Sequence, residues 1–340
     1  MDLSTFPRVP LAHLDTPFEV LPRLGANLGI SNLFVKRDDC TGLASGGNKA
    51  RKLEFLMGEA LAQGATTVLT VGAIQSNHAR QTAAAANRCG LNCIVALEER
   101  SPVPGVEYQE SGNVFLDDLL GAKILRLPFG TDLNSAMEIA AEDVRRQGEK
   151  PYLIPGGGAN ITGTIGYVQA AREILAQANS KGINLDYVVH ASGTAGTQAG
   201  LVAGFAMMGS SAAVIGISVK ADRTTMEDRV LSLSDQTVHR LGGSRKVARR
   251  DVIVTDEMVG PGYGVLTDDI SSTIRTVGRH EGILLDPVYS GKAMAGLMKL
   301  VASGALDKKR NILFIHTGGS AALFAYRQAM KRTRLHNLGE

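Results

Sequence analysis

Tryptophan is absent from the 340 residues, aromatics make up only 5%, and cysteine occurs three times, at Cys40, Cys89 and Cys93. An odd, sparse set of thiols builds no disulfide framework and has no zinc spacing with His, which predicts a reducing, cytoplasmic compartment. No uninterrupted apolar run reaches the roughly 18 residues of a membrane span. The N-terminus, MDLSTFPRVPLAHLDTP, also lacks the charged-then-apolar layout of a secretory signal. Neither sign of charge dominates, since 36 basic and 33 acidic side chains leave a formal +3. That balance argues against nucleic acid as a partner, and the locally basic run 243–250, GSRKVARR, reads as a solvated loop. The absences together describe a soluble protein with neither a membrane nor a nucleic-acid partner.

What is present is ample apolar mass, with 44% hydrophobic and 20% charged residues. A chain this long exceeds the size at which one core keeps growing, so two lobes sharing a cleft are expected. Short β-branched runs alternate with helical patterns, the signature of an α/β fold with parallel sheets flanked by helices. The runs that read as strands are 67–71, 92–97, 123–127, 151–155, 186–191, 213–219, 251–255 and 311–316. Residues 50–62 place Leu53, Leu56, Met57, Ala60 and Leu61 on one helical face, and 166–178, 195–208, 290–302 and 320–331 also read as packing helices. No repeat or low-complexity linker marks a boundary, and the glycines at 156–158 suit a hinge.

Six short segments can carry chemistry. In Ser45-Gly46-Gly47-Asn48-Lys49, a glycine turn and a capping-type Asn set Lys49 at the mouth of a helix. The dipole and partial burial both disfavour an ammonium there, making Lys49 a candidate neutral nucleophile, although Lys49, Arg51 and Lys52 also read as surface cations at a helix start, and an isolated Lys so placed is more often solvated. Ser192-Gly193-Thr194-Ala195-Gly196-Thr197 follows a strand and opens a helix, so converging N–H groups and hydroxyls make an anion cradle. It has neither the P-loop lysine nor the G-x-G-x-x-G spacing, which favours a phosphate without a nucleotide. In 72–78, GAIQSNH, the residues Ser76, Asn77 and His78 stand where parallel strands bind ligands and suit a carboxylate, with plain N-capping the alternative. Tyr263 in GPGYG and Tyr289 in DPVYSGK are rigid-loop tyrosines able to stack on a flat ring or exchange a proton. Thr317 in HTGG ends the last strand and can offer a hydroxyl to a ring nitrogen, though turn chemistry explains it equally well.

Taken together, GGNK-x-RKLE, QSNH, SGTAGT, GYG, DPVY-x-GK and HTGG occur in one order across nearly the whole chain. In that order they resemble the fold-type-II pyridoxal-phosphate (PLP) enzymes of the 1-aminocyclopropane-1-carboxylate (ACC) deaminase and D-cysteine desulfhydrase group. The run from Val35 to Met57 and GAIQSNHARQTAAAA lie nearest its members that release sulfite from L-cysteate. The resemblance implies a two-lobed, tryptophan synthase β-like fold, with 1–51 plus 161–340 as the large PLP-binding domain and 52–160 as the small one. It implies PLP held covalently by Lys49, its phosphate by Gly193, Thr194, Ala195, Gly196 and Thr197, its ring oxygen by Asn77, and its ring by Tyr289 and Thr317. Ser76, Asn77 and His78 would meet the carboxylate of a small amino acid. Lys49 would move the Cα proton, with Ser76, Tyr263 and Tyr289 as further catalytic groups. A homodimer or larger assembly is implied as well.

The deaminase carries an acidic residue after the DPVY tyrosine, where this chain has Ser290, and that departure counts against cyclopropane opening. A neutral Thr317 cannot keep a pyridine nitrogen protonated, so the ring is a weaker electron sink, which a good leaving group such as sulfite tolerates. Carbon–sulfur cleavage of L-cysteate to pyruvate, sulfite and ammonia is therefore the first expectation, with D-cysteine desulfhydration and then ACC deamination behind it. A sulfonate needs cations beyond the carboxylate site, and the pattern offers Lys220 and Arg223, although a solvated strand end accounts for both more simply. A small-molecule binding protein on the same fold is the non-enzymatic alternative, which a complete set of cofactor motifs disfavours.

Overall fold

The computed structural model describes residues 2–100, 105–244 and 246–336, with side chains to Lys331. Position 245 of the basic run thus lies outside the described residues. Ten strands form two sheets: β1 (Phe18–Val20), β2 (Asn32–Arg37), β3 (Thr67–Ala73), β4 (Asn92–Glu98), β5 (Lys123–Leu127), β6 (Pro151–Ile154), β7 (Tyr187–Ser192), β8 (Ala213–Ser218), β9 (Ile253–Thr255) and β10 (Asn311–His316). One sheet has the order β1-β2-β10-β7-β8-β9 and the other β5-β4-β3-β6. Every pairing is parallel except β1 with β2 at the edge.

Helices cover both faces of parallel sheets, so central strands are apolar throughout. In β10, Ile312, Leu313, Phe314 and Ile315 are all buried. The strand runs legible in the sequence form strands here, and β1 and β2 are the two that pattern reading passes over. The reason in β2 is Lys36, a charge inside a buried strand, which the Glu173 carboxylate accommodates. The 320–331 stretch is not one helix, because Ala322–Ala325 ends at Tyr326 and a second helix starts at Arg327.

In parallel sheets the loops at the carboxyl ends of the strands make the ligand site. Here β3 leads to Ser76, β4 to Arg100, β7 to Gly193, β8 to Lys220 and β10 to Thr317, and all five residues line one cavity. Both sheets therefore open onto the same cleft. Among the described residues no helix is long and apolar enough to cross a membrane, and no cluster fit for a metal ion occurs.

Candidate active site

The cavity, of about 320 Å³, brings together Lys49, Ser76, Asn77, His78, Gly193, Thr194, Ala195, Thr197, Tyr263, Tyr289 and Thr317. Gly196 stands just behind this wall as the first residue of the Gly196–Met208 helix. Lys49 begins the Lys49–Ala62 helix, and its amine opens only onto the cleft. Burial brings its pKa down to about 8, and no ion pair reaches it among the described residues. Desolvation is thus the cause, where the sequence suggested a share for the helix dipole.

Asn48 is not the cap the sequence suggests. Its side chain makes no capping bond, and its Nδ2 instead donates to Thr197 Oγ1 at 3.0 Å. The backbone N–H of Asn48 donates to the Thr317 carbonyl at 3.0 Å. One residue therefore ties the Lys49 turn to the cradle and to the end of β10. Close approach makes these turns glycine-dependent: at Gly318, with φ of +94°, a Cβ would stand 2.7 Å from the Gly47 Cα.

The 193–197 segment is a strained turn. Ala195 has φ 65° and ψ −36°, and the Gly196 N–H donates to the Thr194 carbonyl at 2.8 Å, a tight bend that an L-residue rarely adopts. The bend aims the first N–H groups of the helix into the cleft, where they have no intrahelical partner. Behind them lies Lys52, a residue the sequence offers as a surface cation. It is fully buried, donates to the Gly157 carbonyl at 3.1 Å, and sits so close that a Cβ on Gly196 would be 2.8 Å from its Nζ. Burial, and then Lys49, pull its pKa well below the ordinary lysine value. Its neighbour Arg51 is buried too, so the sequence reading of a solvated helix start fails for both. Periodicity could not separate them from surface cations, because this helix is enclosed on nearly every side.

Ser76 caps the Asn77–Cys89 helix, accepting the Ala79 N–H at 3.1 Å, and still lines the cavity. Asn77 Oδ1 accepts from Asn113 Nδ2 at 3.0 Å, which fixes its amide in the wall. His78 is turned toward β3, with Nε2 on Thr70 Oγ1 at 2.8 Å. Burial first, then Lys49 and Lys52, hold its pKa well below the usual value, so it is a neutral imidazole and no cationic partner for a carboxylate.

The two tyrosines meet. Tyr263 and Tyr289 hydroxyls are 2.5 Å apart with the rings edge to face, and burial raises both pKa values, that of Tyr289 to about 12. Both phenols are therefore protonated at neutral pH, and one donates to the other, which leaves a single O–H of the pair free to donate. Lys292 holds their loop from below, donating to the Val259 and Gly262 carbonyls at 2.7 and 3.1 Å. Ser290 does not line the cavity, because its Oγ is shared with Asp286 at 2.7 Å. Asp286 is saturated by the N–H groups of Val288, Tyr289 and Ser290. Thr317 faces the cavity, and the one carboxylate on its wall among the described residues is Asp132, on the opposite lobe. Arg223 lies outside the cavity and pairs with Glu227 at 2.7 Å, so the solvated reading holds for it; Lys220, by contrast, is in the wall.

Residues 9–318 match the family model described as pyridoxal-phosphate dependent enzyme. A solved structure described as an ACC deaminase homologue is 39% identical, with 97% of each chain covered and a TM-score of 0.88. The processed form of threonine deaminase isoform 2 from Solanum lycopersicum, 18% identical, aligns over 95% of this chain and 84% of its own with a TM-score of 0.65. O-ureido-L-serine synthase, 16% identical, covers 94% and 93% with a TM-score of 0.64. At such identities these last two speak for the fold alone.

The residues present fit the cofactor of that family. A buried lysine without a carboxylate, set beside a helix start, is a costly arrangement that an anion relieves, and Lys52 at Gly196 is such an arrangement. Ser192 Oγ and His78 Nδ1 are buried without hydrogen-bond partners at the same wall. A phosphate would satisfy this end and an aldehyde would lie within reach of the Lys49 amine, with Asn77, Tyr289 and Thr317 lining the same cavity. On its fold and on the match over 9–318, this chain belongs to the pyridoxal-phosphate dependent enzymes of fold type II.

Proposed function

We propose that the enzyme eliminates sulfite from L-cysteate, consuming one water and giving pyruvate, sulfite and ammonium. The observation that carries this reading is one cavity holding the Lys49 amine between two separate helix starts. The Gly196 start, with Lys52, suits a phosphate; the Asn77 start, with Ser76, suits the carboxylate of an α-amino acid. Bound PLP supplies an electron sink for the pair left at Cα when its proton is removed.

The side chains do the rest. Ser76 and the N–H groups behind it orient the carboxylate, which fixes Cα relative to Lys49. The Lys49 amine, with a pKa near 8 in this site, takes the Cα proton. Thr317 offers only a neutral hydroxyl, so charge is not stored long on the ring, and a group that departs readily with its bonding electrons is favoured. Sulfite is such a group. The Tyr263–Tyr289 pair closes the site opposite, and the O–H that the pair leaves free donates to developing negative charge.

Similarity to the ACC deaminase homologue brings cyclopropane opening into the comparison, and Ser290, sealed against Asp286, leaves no acid at that position to serve it. The test is a panel of L-cysteate, D-cysteate, D-cysteine, L-cysteine, D-serine and ACC, with sulfite, sulfide, pyruvate, 2-oxobutyrate and ammonia measured. Sulfite and pyruvate in equal amounts from L-cysteate, with the highest kcat/KM of the set, is the expected result. Sulfide from D-cysteine or 2-oxobutyrate from ACC as the fastest product would replace the reading.

A further inference from the structure

Two cations line the cavity that the steps of the proposed elimination do not employ. Arg100 follows β4 of the four-stranded sheet and Lys220 follows β8 of the six-stranded sheet, so they approach the cleft from opposite walls. Arg100 is held in place: its Nε donates to Glu98 Oε2 at 2.7 Å, and its Cζ lies 5.6 Å from the centroid of the Tyr263 ring. The other oxygen of Glu98 accepts the Gly130 N–H at 2.9 Å, which fixes the carboxylate in turn. Lys220 projects from a turn closed by Ser218, whose Oγ donates to the Ala221 carbonyl at 2.6 Å. Among the described residues its amine has neither an ion pair nor a hydrogen bond. Burial first, then Arg100 and Arg229, lower its pKa to about 8, the mark of a cation gathered with other cations away from water.

Charge around this corner is not balanced. Lys49, Arg100 and Lys220 stand in the cavity wall with one carboxylate, Asp132, among the described residues. Asp132 is turned onto the start of its own helix, where it accepts the Asn134 N–H at 3.0 Å. The excess positive charge has no use for an amino acid with a neutral side chain, and repulsion between Arg100 and Lys220 costs stability until an anion separates them.

We propose that Arg100 and Lys220 form a clamp across the cleft that selects amino acids with an anionic β-substituent, a sulfonate above all. The assignment rests on the cavity being the amino-acid site described above, and it adds which residues set the substrate class. A sulfonate presents three oxygens and stays ionised at all working pH values, so it can accept from a fixed guanidinium on one side and an ammonium on the other. Arg100 also touches Tyr263, which brings the leaving group beside the phenol pair. A carboxylate at the same place would be bound but cannot depart as sulfite does, so L-aspartate is expected to inhibit.

The clamp is tested on holoenzyme with two unreactive acids that lack the amino group, 3-sulfopropionate and butyrate, by calorimetry. The wild type is expected to bind 3-sulfopropionate at least about 10-fold more tightly, and Arg100→Gln and Lys220→Gln each to cut that preference by about 10-fold, the effect of losing one charge-assisted hydrogen bond. Arg223→Gln, on the surface, is expected to keep the preference. In turnover, both clamp variants should raise KM for L-cysteate more than they lower kcat. Equal weakening of both acids would assign the two side chains a merely structural role and overturn the clamp, as would a wild type that does not discriminate. If 3-sulfopropionate is preferred and the variants lose that preference, yet L-cysteate yields no sulfite, the clamp stands and the proposed elimination falls.

Discussion

Lys49 and Lys52 are three positions apart on one helix, and their surroundings divide their work. Lys49 opens to the cavity and is made a usable amine by burial, whereas Lys52 is enclosed beside Gly196, where burial disfavours its ammonium until an anion is bound there. Lys49→Ala is expected to retain PLP weakly, without covalent attachment, and to lose turnover by at least about 10²–10⁴-fold. Borohydride reduction followed by mass spectrometry reads the attachment, and product assays read the rate. Turnover near the wild-type level would transfer the base to another group. The pH dependence of reconstitution follows from the same burial. Below about 8 the amine holds its proton and cannot attack an aldehyde, and above it the free amine is present. The rate of covalent attachment to the apoenzyme should therefore rise with pH and level off past a midpoint near 8. A midpoint near the ordinary lysine value would show that the amine is solvated.

At the scale of elements, the cradle depends on two helices lying unusually close. A Cβ on Gly200 would stand 2.4 Å from the Tyr167 Cβ, so the Gly196–Met208 helix meets the Ile161–Ser180 helix almost backbone to backbone. Gly200→Ala is expected to cost about 1–3 kcal/mol through overpacking and, by displacing the helix start, to weaken PLP binding as well. Urea titration of the apoenzyme and a PLP titration measure the two effects. A loss of stability with unchanged PLP affinity would show that the start of the helix is held independently of its body. The packing helix at 195–208 was legible because small residues crowd it, but the partner it packs against was not. Proximity of glycine to a neighbouring backbone leaves no periodicity in a single sequence.

Across the whole molecule, a buried ionic network joins the N-terminal segment and the Ile161–Ser180 helix to the Lys49–Ala62 helix. Arg51 binds Asp38 at 2.8 Å and Glu173 at 2.8 Å, Lys36 also binds Glu173, and the Tyr167 hydroxyl donates to Asp38. Burial pushes both carboxyl groups up, but Arg51 outweighs it and holds Asp38 and Glu173 below their ordinary values. Carboxylates with depressed folded pKa values add stability above about pH 4–5, and it is lost as pH falls through those depressed values. Glu173→Gln leaves two buried cations with one carboxylate, so a loss of about 3–5 kcal/mol near neutrality is expected. Its acid limb should also be shallower, since one titrating group is gone. Urea midpoints from pH 3 to 7 test this, and an acid limb as steep as the wild type's would remove Glu173 from the account.

The α/β class, the strand runs and the order of the cofactor motifs were written in the sequence, because parallel strands buried on both faces must be apolar and because tight turns demand glycine at fixed places. The motif residues could be gathered for the same reason: strand ends of a parallel sheet deliver their loops to one side. What only the tertiary structure decided is the electrostatic character of each charged group. Arg51 and Lys52 read as surface cations and are buried, Lys36 went unremarked and is buried as well, Asn48 reads as a cap and is a strut to Thr197, and Arg100 went unremarked and stands in the cavity. Lys220 and Arg223 were indistinguishable along the chain, yet one faces the cleft and the other water. Burial and the nearest opposite charge set a side chain's chemistry, and both come from residues distant in sequence, so no local pattern holds that information.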